Sequence, residues 1–388
     1  MARVVQNAER TPGVGGFDFM YFMKAFIISL MVPLLVVSFS LCSCSDADNR
    51  ELPLTVQLCE SMVTEDGEDN SALCAFRQRI DDFRAGKCAL SDFACIPQLL
   101  SLVSTLKIDE ETLPAVLEEL QEAGADVAAK GENDTSALLM AAYGGYRETL
   151  VYLLEEGLSL QDTDAAGASV VMKAAQGGQT EMLRYLQERG LSLSESDKLG
   201  NNVLIYAAYG GHTDCIRYLL RQGMNIHSVN TQGLNCLIAS AYSGNVECCR
   251  YLMEQGLSVQ SCAYDGVTAP MYAAWGGHVD CFVFLVQQGA NAVGIDTSGN
   301  TVAHHAAFGG HVAFLHALAQ YGIPLDEPNL KGQSPLMIAA EHGFSPCVQF
   351  LLSVGAKASR KDAAGNTALQ YAERNSHAEC SALLRAAR

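Results

Sequence analysis

The chain has 388 residues, of which 49% are hydrophobic and 18% charged, with 34 Gly and only 10 Pro. That composition can bury a large core and excludes a disordered or collagen-like chain. Twenty-five Lys and Arg against 43 Asp and Glu give a formal charge of -18, which argues against nucleic acid as a partner. Fourteen Cys are too few for a disulfide scaffold over this length, so their positions must show what they do.

The first segment is a targeting signal. Residues 25–45 carry no charge, and 25–41 (AFIISLMVPLLVVSFSL) are almost wholly apolar after Lys24. Seventeen residues interrupted by Pro33 are short for a membrane span, which needs roughly 20, and suit the apolar region of a signal peptide over residues 1–43. Translation from Met20 or Met23 gives that signal its usual short basic start. The run ends in Leu41-Cys42-Ser43-Cys44, which resembles the lipobox of bacterial lipoproteins, although Cys42 is unusual for its slot. The resemblance implies acylation at Cys44, a tether to the membrane, and a place in the cell envelope, at the outer membrane or in the periplasm. A cleaved secretory signal and an uncleaved anchor are the alternatives, and all three export the rest of the chain.

Residues 44–97 form a separate segment with Cys59, Cys74, Cys88 and Cys95. No C-x-x-C pair occurs among them, and an exported setting favours disulfides over zinc, so two bridges are expected, with three connectivities open.

From residue 131 the chain repeats. Ser136, Ser169, Asn202, Asn235, Thr268, Thr301, Ser334 and Thr367 stand 33 apart, as do Gly157, Gly190, Gly223, Gly256, Gly289, Gly322 and Gly355. The first series reads as N-caps of a first helix and the second as left-handed stops of a second helix. Stretches such as TAPMYAAWGGH from Thr268, TVAHHAAFGGH from Thr301 and SPLMIAAEHGF from Ser334 resemble the ankyrin repeat. The resemblance covers 131–388, seven full repeats and a truncated eighth. It implies an all-α ankyrin-repeat solenoid of helix-turn-helix units with β-hairpin tips. Only His304 fills the family's His slot, so the hydrogen bond made there is expected to be mostly absent. Gly124 falls 33 before Gly157, so 98–130 reads as a degenerate capping repeat.

The repeats offer no catalytic, metal or cofactor motif. His212, His278 and His311 share one turn slot, and Cys215, Cys248, Cys281, Cys347 and Cys380 share one outer-helix slot, where buried free thiols are expected. On the inner helices, the slot after the Ala-Ala pair holds Tyr143, Tyr209, Tyr242, Trp275 and Phe308, and one turn earlier stand Tyr206, Tyr272 and His305. In ankyrin proteins this face lines the groove that binds partners, so these eight residues are candidate contacts, with core packing as the competing role. If packing claims them, the binding site moves to the hairpin tips. The expected function is a non-catalytic scaffold binding another protein. Two alternatives are an accessory or regulatory subunit of an envelope enzyme and a secreted effector that binds host proteins.

Overall fold

The structure, a computed structural model, describes residues 113–122 and 126–387. The signal segment, Cys44, the four candidate disulfide cysteines and most of the expected capping repeat lie outside the described residues. Among the described residues, no helix is long and apolar enough to cross a membrane.

The fold is an all-α ankyrin-repeat solenoid divided into two compact units, one ending at Ala207 and one beginning at Ala208. Among the described residues the first unit opens with α1 (Leu113–Glu122), followed by the pairs α2 (Ala137–Gly144) with α3 (Arg147–Glu155) and α4 (Val170–Gln176) with α5 (Thr180–Glu188). Leu113, Val116, Leu117 and Leu120 of α1 are fully buried, and the helix packs on α3 as a preceding outer helix does. The helix α6 (Val203–Tyr209) runs across the boundary. The second unit continues with α7 (Thr213–Arg221), α8 (Cys236–Ser243), α9 (Val246–Glu254), α10 (Ala269–Gly276) and α11 (Val279–Gln287). It ends with α12 (Val302–Gly309), α13 (Val312–Gln320), α14 (Pro335–Glu341), α15 (Ser345–Ser353), α16 (Ala368–Arg374) and α17 (Ala378–Ala386).

The caps explain where each inner helix begins. Asn202 and Asn235 Oδ1 each accept from the backbone N–H three residues on at 3.0 Å, and Ser136, Ser334 and Thr367 do the same at 3.4 Å. These bonds satisfy donors that a helix start leaves without partners. The outer helices stop at glycines such as Gly256, at φ 101°, a conformation that costs a side-chain-bearing residue more. Small inner-helix residues then let successive repeats approach closely: Ala273, Ala274, Ala306 and Ala307 are fully buried. Each inner helix rests on the next, α8 on α10, α10 on α12, α12 on α14 and α14 on α16, and the outer helices follow the same order. No repeat buries its apolar face alone, so the core is the series of surfaces between them.

The tips are turns rather than developed hairpins. Only isolated bridges form among the described residues, Thr163 with Ser169, Ser196 with Asn202, and Cys262 with Thr268. The turn is too short for a ladder, and its hydrogen bonds run both within the turn and to the neighbouring repeat. In the second unit, the N–H groups of Tyr264, Thr297, Leu330 and Ala363 donate to the carbonyls of Gln232, Asp265, Ser298 and Lys331 at 2.7 to 2.9 Å.

Candidate protein-binding surface

The tips are organised by an Asp or Asn acceptor at a shared slot, 164, 197, 230, 296, 329 and 362, which only Ala263 interrupts. Asp296 Oδ1 accepts from the N–H groups of Ser298 and Asn300 at 2.8 Å each, closing the turn. Its other oxygen accepts from Asn300 Nδ2 at 2.9 Å and from His305 Nε2 at 3.2 Å. Burial alone raises the Asp296 carboxyl pKa, but the His305 and Asn300 contacts outweigh it and hold the group below the usual carboxylate range. Asp197 uses the same device on the Tyr206 hydroxyl at 2.9 Å, Asp362 on the Tyr371 hydroxyl at 2.7 Å, and Asp164 on Lys173 Nζ at 2.8 Å. Asn replaces Asp at 230 and 329, where the residue nine positions on is Ala239 or Ile338 and has no side-chain proton to donate. An unpaired buried carboxylate is thereby avoided.

This pairing assigns His305 and Tyr206, both expected as partner contacts, to the interior, each at most 1% exposed. The neighbouring aromatic slot is likewise packed on itself in the second unit. Ring centroids step from Tyr209 to Tyr242 at 6.2 Å, to Trp275 at 5.6 Å and to Phe308 at 5.8 Å, each close to edge-on. Tyr272 braces Tyr242 at 6.5 Å and Trp275 at 5.5 Å. Such pairs contribute about 0.5–1.5 kcal/mol each beyond area burial. Trp275 is 5% exposed, Tyr272 3% and Phe308 1%. Burial pushes the Tyr242 hydroxyl pKa up to about 12 and raises those of Tyr272 and Tyr143. Tyr143, Tyr209 and Tyr242 keep part of their rings at the surface.

The turn histidines tie this strip down. His311 Nε2 donates to the Trp275 carbonyl at 2.8 Å, and His377 Nε2 to the Glu341 carbonyl at 3.0 Å. His304 accepts from the Thr301 N–H at Nδ1 (3.1 Å) and donates from Nε2 to the Gln333 carbonyl (3.0 Å), so it bonds within its own repeat and across to the next. Burial lowers its pKa to about 4, and it is neutral at pH 7. The histidines serve structure, and among the described residues no group of three or more His, Cys, Asp or Glu is placed to hold a metal.

The most open apolar side chains lie on the tips, although Tyr321 and Val354 are also exposed at the ends of the outer helices α13 and α15. Tyr264 is 73% exposed, Ile295 61% and Leu330 76%, all on successive turns of the second unit. A Cβ placed on Gly233 would meet the Tyr264 ring, and one on Gly299 the Leu330 side chain and backbone, so each side chain lies over the glycine of the preceding tip. Sequence reading offered the tips as the alternative site but did not single out these residues, because the positions vary between repeats. It also missed the outer helices, where Arg217 sits 4.6 Å over the Tyr251 ring and Arg250 4.7 Å over Phe284, one repeat on each time.

A family model for ankyrin repeats, in three-copy units, matches residues 108–197, 172–262, 256–329 and 321–387. The chain belongs to the ankyrin-repeat family. A curated relative, mouse Synphilin-1, is 38% identical over 60 residues, 16% of this ankyrin chain and 6% of that protein. The chain therefore spans a small fraction of that relative's length. The crystal structure of the human ASB11 ankyrin repeat domain aligns with 57% of this chain and 98% of its own, at 24% identity and a TM-score of 0.45.

Proposed function

We propose that this ankyrin-repeat protein is a non-catalytic scaffold that binds another protein through the tips of its second unit, on the cell-envelope side of a membrane. The observation that carries the reading is the open series Tyr264, Ile295 and Leu330 on tips zipped together by backbone hydrogen bonds. Exposed apolar side chains held on a rigid frame mark contact sites, because little motion is left to lose on binding. The Cys44 lipobox and the apolar run before it support a membrane tether; cleavage without acylation supports a secreted effector instead.

A second reading keeps the inner-helix face. Tyr209 and Tyr242 present ring edges already immobilised by Trp275 and Tyr272, so a partner could cover them at low entropic cost, with Tyr143 offering a similar edge in the first unit. Tyr206, Tyr272, Trp275, His305 and Phe308 then form the supporting base. A photo-crosslinking residue at position 264, 330 or 242, with the exposed outer position 255 as control, tests both in the native cell. Adducts at 264 and 330 are expected; adducts at 242 alone select the second reading, and none above the control at any position rejects a binding surface here.

A further inference from the structure

Two thiols from successive outer helices meet in the second unit. Cys249 on α9 and Cys281 on α11 are fully buried, and their Sγ atoms are 3.6 Å apart. Cys281 belongs to the 33-residue thiol series, but Cys249 stands one position beyond its member Cys248, and that offset turns its sulfur toward the next repeat. The two helices are in contact, and in this pair the sulfurs already meet. A disulfide needs the sulfurs at about 2.05 Å, so oxidation has to draw the pair roughly 1.5 Å closer. Ser240 Oγ lies 3.1 Å from Cys249 Sγ and completes the polar surroundings of the pair.

We propose that Cys249 and Cys281 are an oxidation site, closing to a disulfide that staples neighbouring repeats when a low-molecular-weight disulfide such as oxidised glutathione is supplied. Cys249 is taken as the first nucleophile because its sulfur has two hydrogen-bonding neighbours, Ser240 Oγ at 3.1 Å and Cys281 Sγ at 3.6 Å, that can stabilise a thiolate there. The Cys249 thiolate attacks one sulfur of the oxidant, breaking its S–S bond and releasing one thiolate. Cys281 then loses its proton and attacks the Cys249 sulfur of the mixed disulfide, forming the Cys249–Cys281 bond and releasing the second thiolate. The protein gives up two electrons and two protons, and the oxidant leaves as two thiols. Local opening of the helix pair admits the oxidant, since neighbouring repeats separate without global unfolding.

The test uses the full chain, folded, incubated with oxidised glutathione until the exposed Cys262 is fully glutathionylated, then acid-quenched, alkylated without reductant and mapped by peptide mass. The expected product is a linked peptide containing Cys249 and Cys281, two hydrogens lighter than its parts and released by reductant, with Cys215, Cys236, Cys347 and Cys380 alkylated. Cys249→Ser should return Cys281 to the alkylated pool. Alkylation of both thiols after Cys262 has reacted completely overturns the proposal, as does a bridge that joins Cys281 to Cys248 or persists in Cys249→Ser.

Discussion

The inner-helix strip and the turn tips of the second unit both carry large apolar side chains, yet those of the strip are largely covered and those of the tips are open. Trp275 and Phe308 keep 5% and 1% of their area, whereas Tyr264 and Leu330 keep 73% and 76%. The difference comes from what the next repeat lays over each position. An inner helix is covered by its neighbour's helix and by a turn histidine, while a tip touches its neighbour mainly through backbone and so leaves its side chains open. An aromatic slot in a repeat protein is therefore evidence of a lattice of rings first and of a binding face second.

That contrast can be broken most sharply by truncation. Trp275→Ala should cost about 3–5 kcal/mol, as removal of a buried Trp does, whereas Tyr264→Ser should stay within about 0.5 kcal/mol. Urea unfolding followed by circular dichroism measures both; equal costs would erase the distinction between strip and tip. The acid response is the next largest effect. The His304 folded-state pKa of about 4 lies below the unfolded value near 6.5, so its stabilisation is fully present above pH 6.5 and is lost as pH falls toward 4. The loss approaches about 3 kcal/mol at pH 4, and His278, lowered by burial, adds in the same direction. In His304→Gln the stability between pH 6.5 and 4 should fall less steeply; an unchanged slope assigns the acid sensitivity elsewhere. Smaller again is the turn-to-helix pairing. Tyr206→Phe removes the hydroxyl that Asp197 accepts and should cost about 2 kcal/mol. Urea unfolding measures it, and a cost near zero would show that the pairing contributes nothing, since Asp197 Oδ2 keeps its bond from Asn201 Nδ2.

Much of the solenoid is legible in the sequence because its signals are local. Ser, Thr and Asn caps and left-handed glycines act within a few residues of chain, and a fixed 33-residue period makes each one confirm the others. The shared buried slot of Cys215, Cys248, Cys281, Cys347 and Cys380 follows from that same register. What the period hides is contact between repeats. His305 and Tyr206 read as groove residues because they share a face with the aromatic slot, but they turn back to Asp296 and Asp197 nine residues earlier. The signal was present, though not in every repeat: Asp stands at 164, 197, 296 and 362 where the residue nine on is Lys, Tyr, His or Tyr, Asn stands at 230 and 329 where it is Ala or Ile, and Ala263 with Tyr272 breaks the pattern. At His304, the one repeat whose His slot is filled, the expected bond within the repeat is made, and a second bond that the period does not reveal reaches into the next repeat. The exposed tips gave no periodic pattern, since Tyr264 and Leu330 are separated in their slot by Thr297.

The central claim, that the tips of the second unit carry partner binding, is tested most directly by affinity. The protein crosslinked at position 264 serves as ligand, and the triple variant Tyr264→Ser, Ile295→Ser, Leu330→Ser is compared with Tyr242→Ala, both titrated where circular dichroism shows them folded. The account predicts at least a thirtyfold weaker Kd for the triple variant, about 2 kcal/mol, with an almost unchanged melting temperature, and a smaller change for Tyr242→Ala. Wild-type affinity in the triple variant, with the loss confined to Tyr242→Ala, would contradict it and place binding on the inner-helix face.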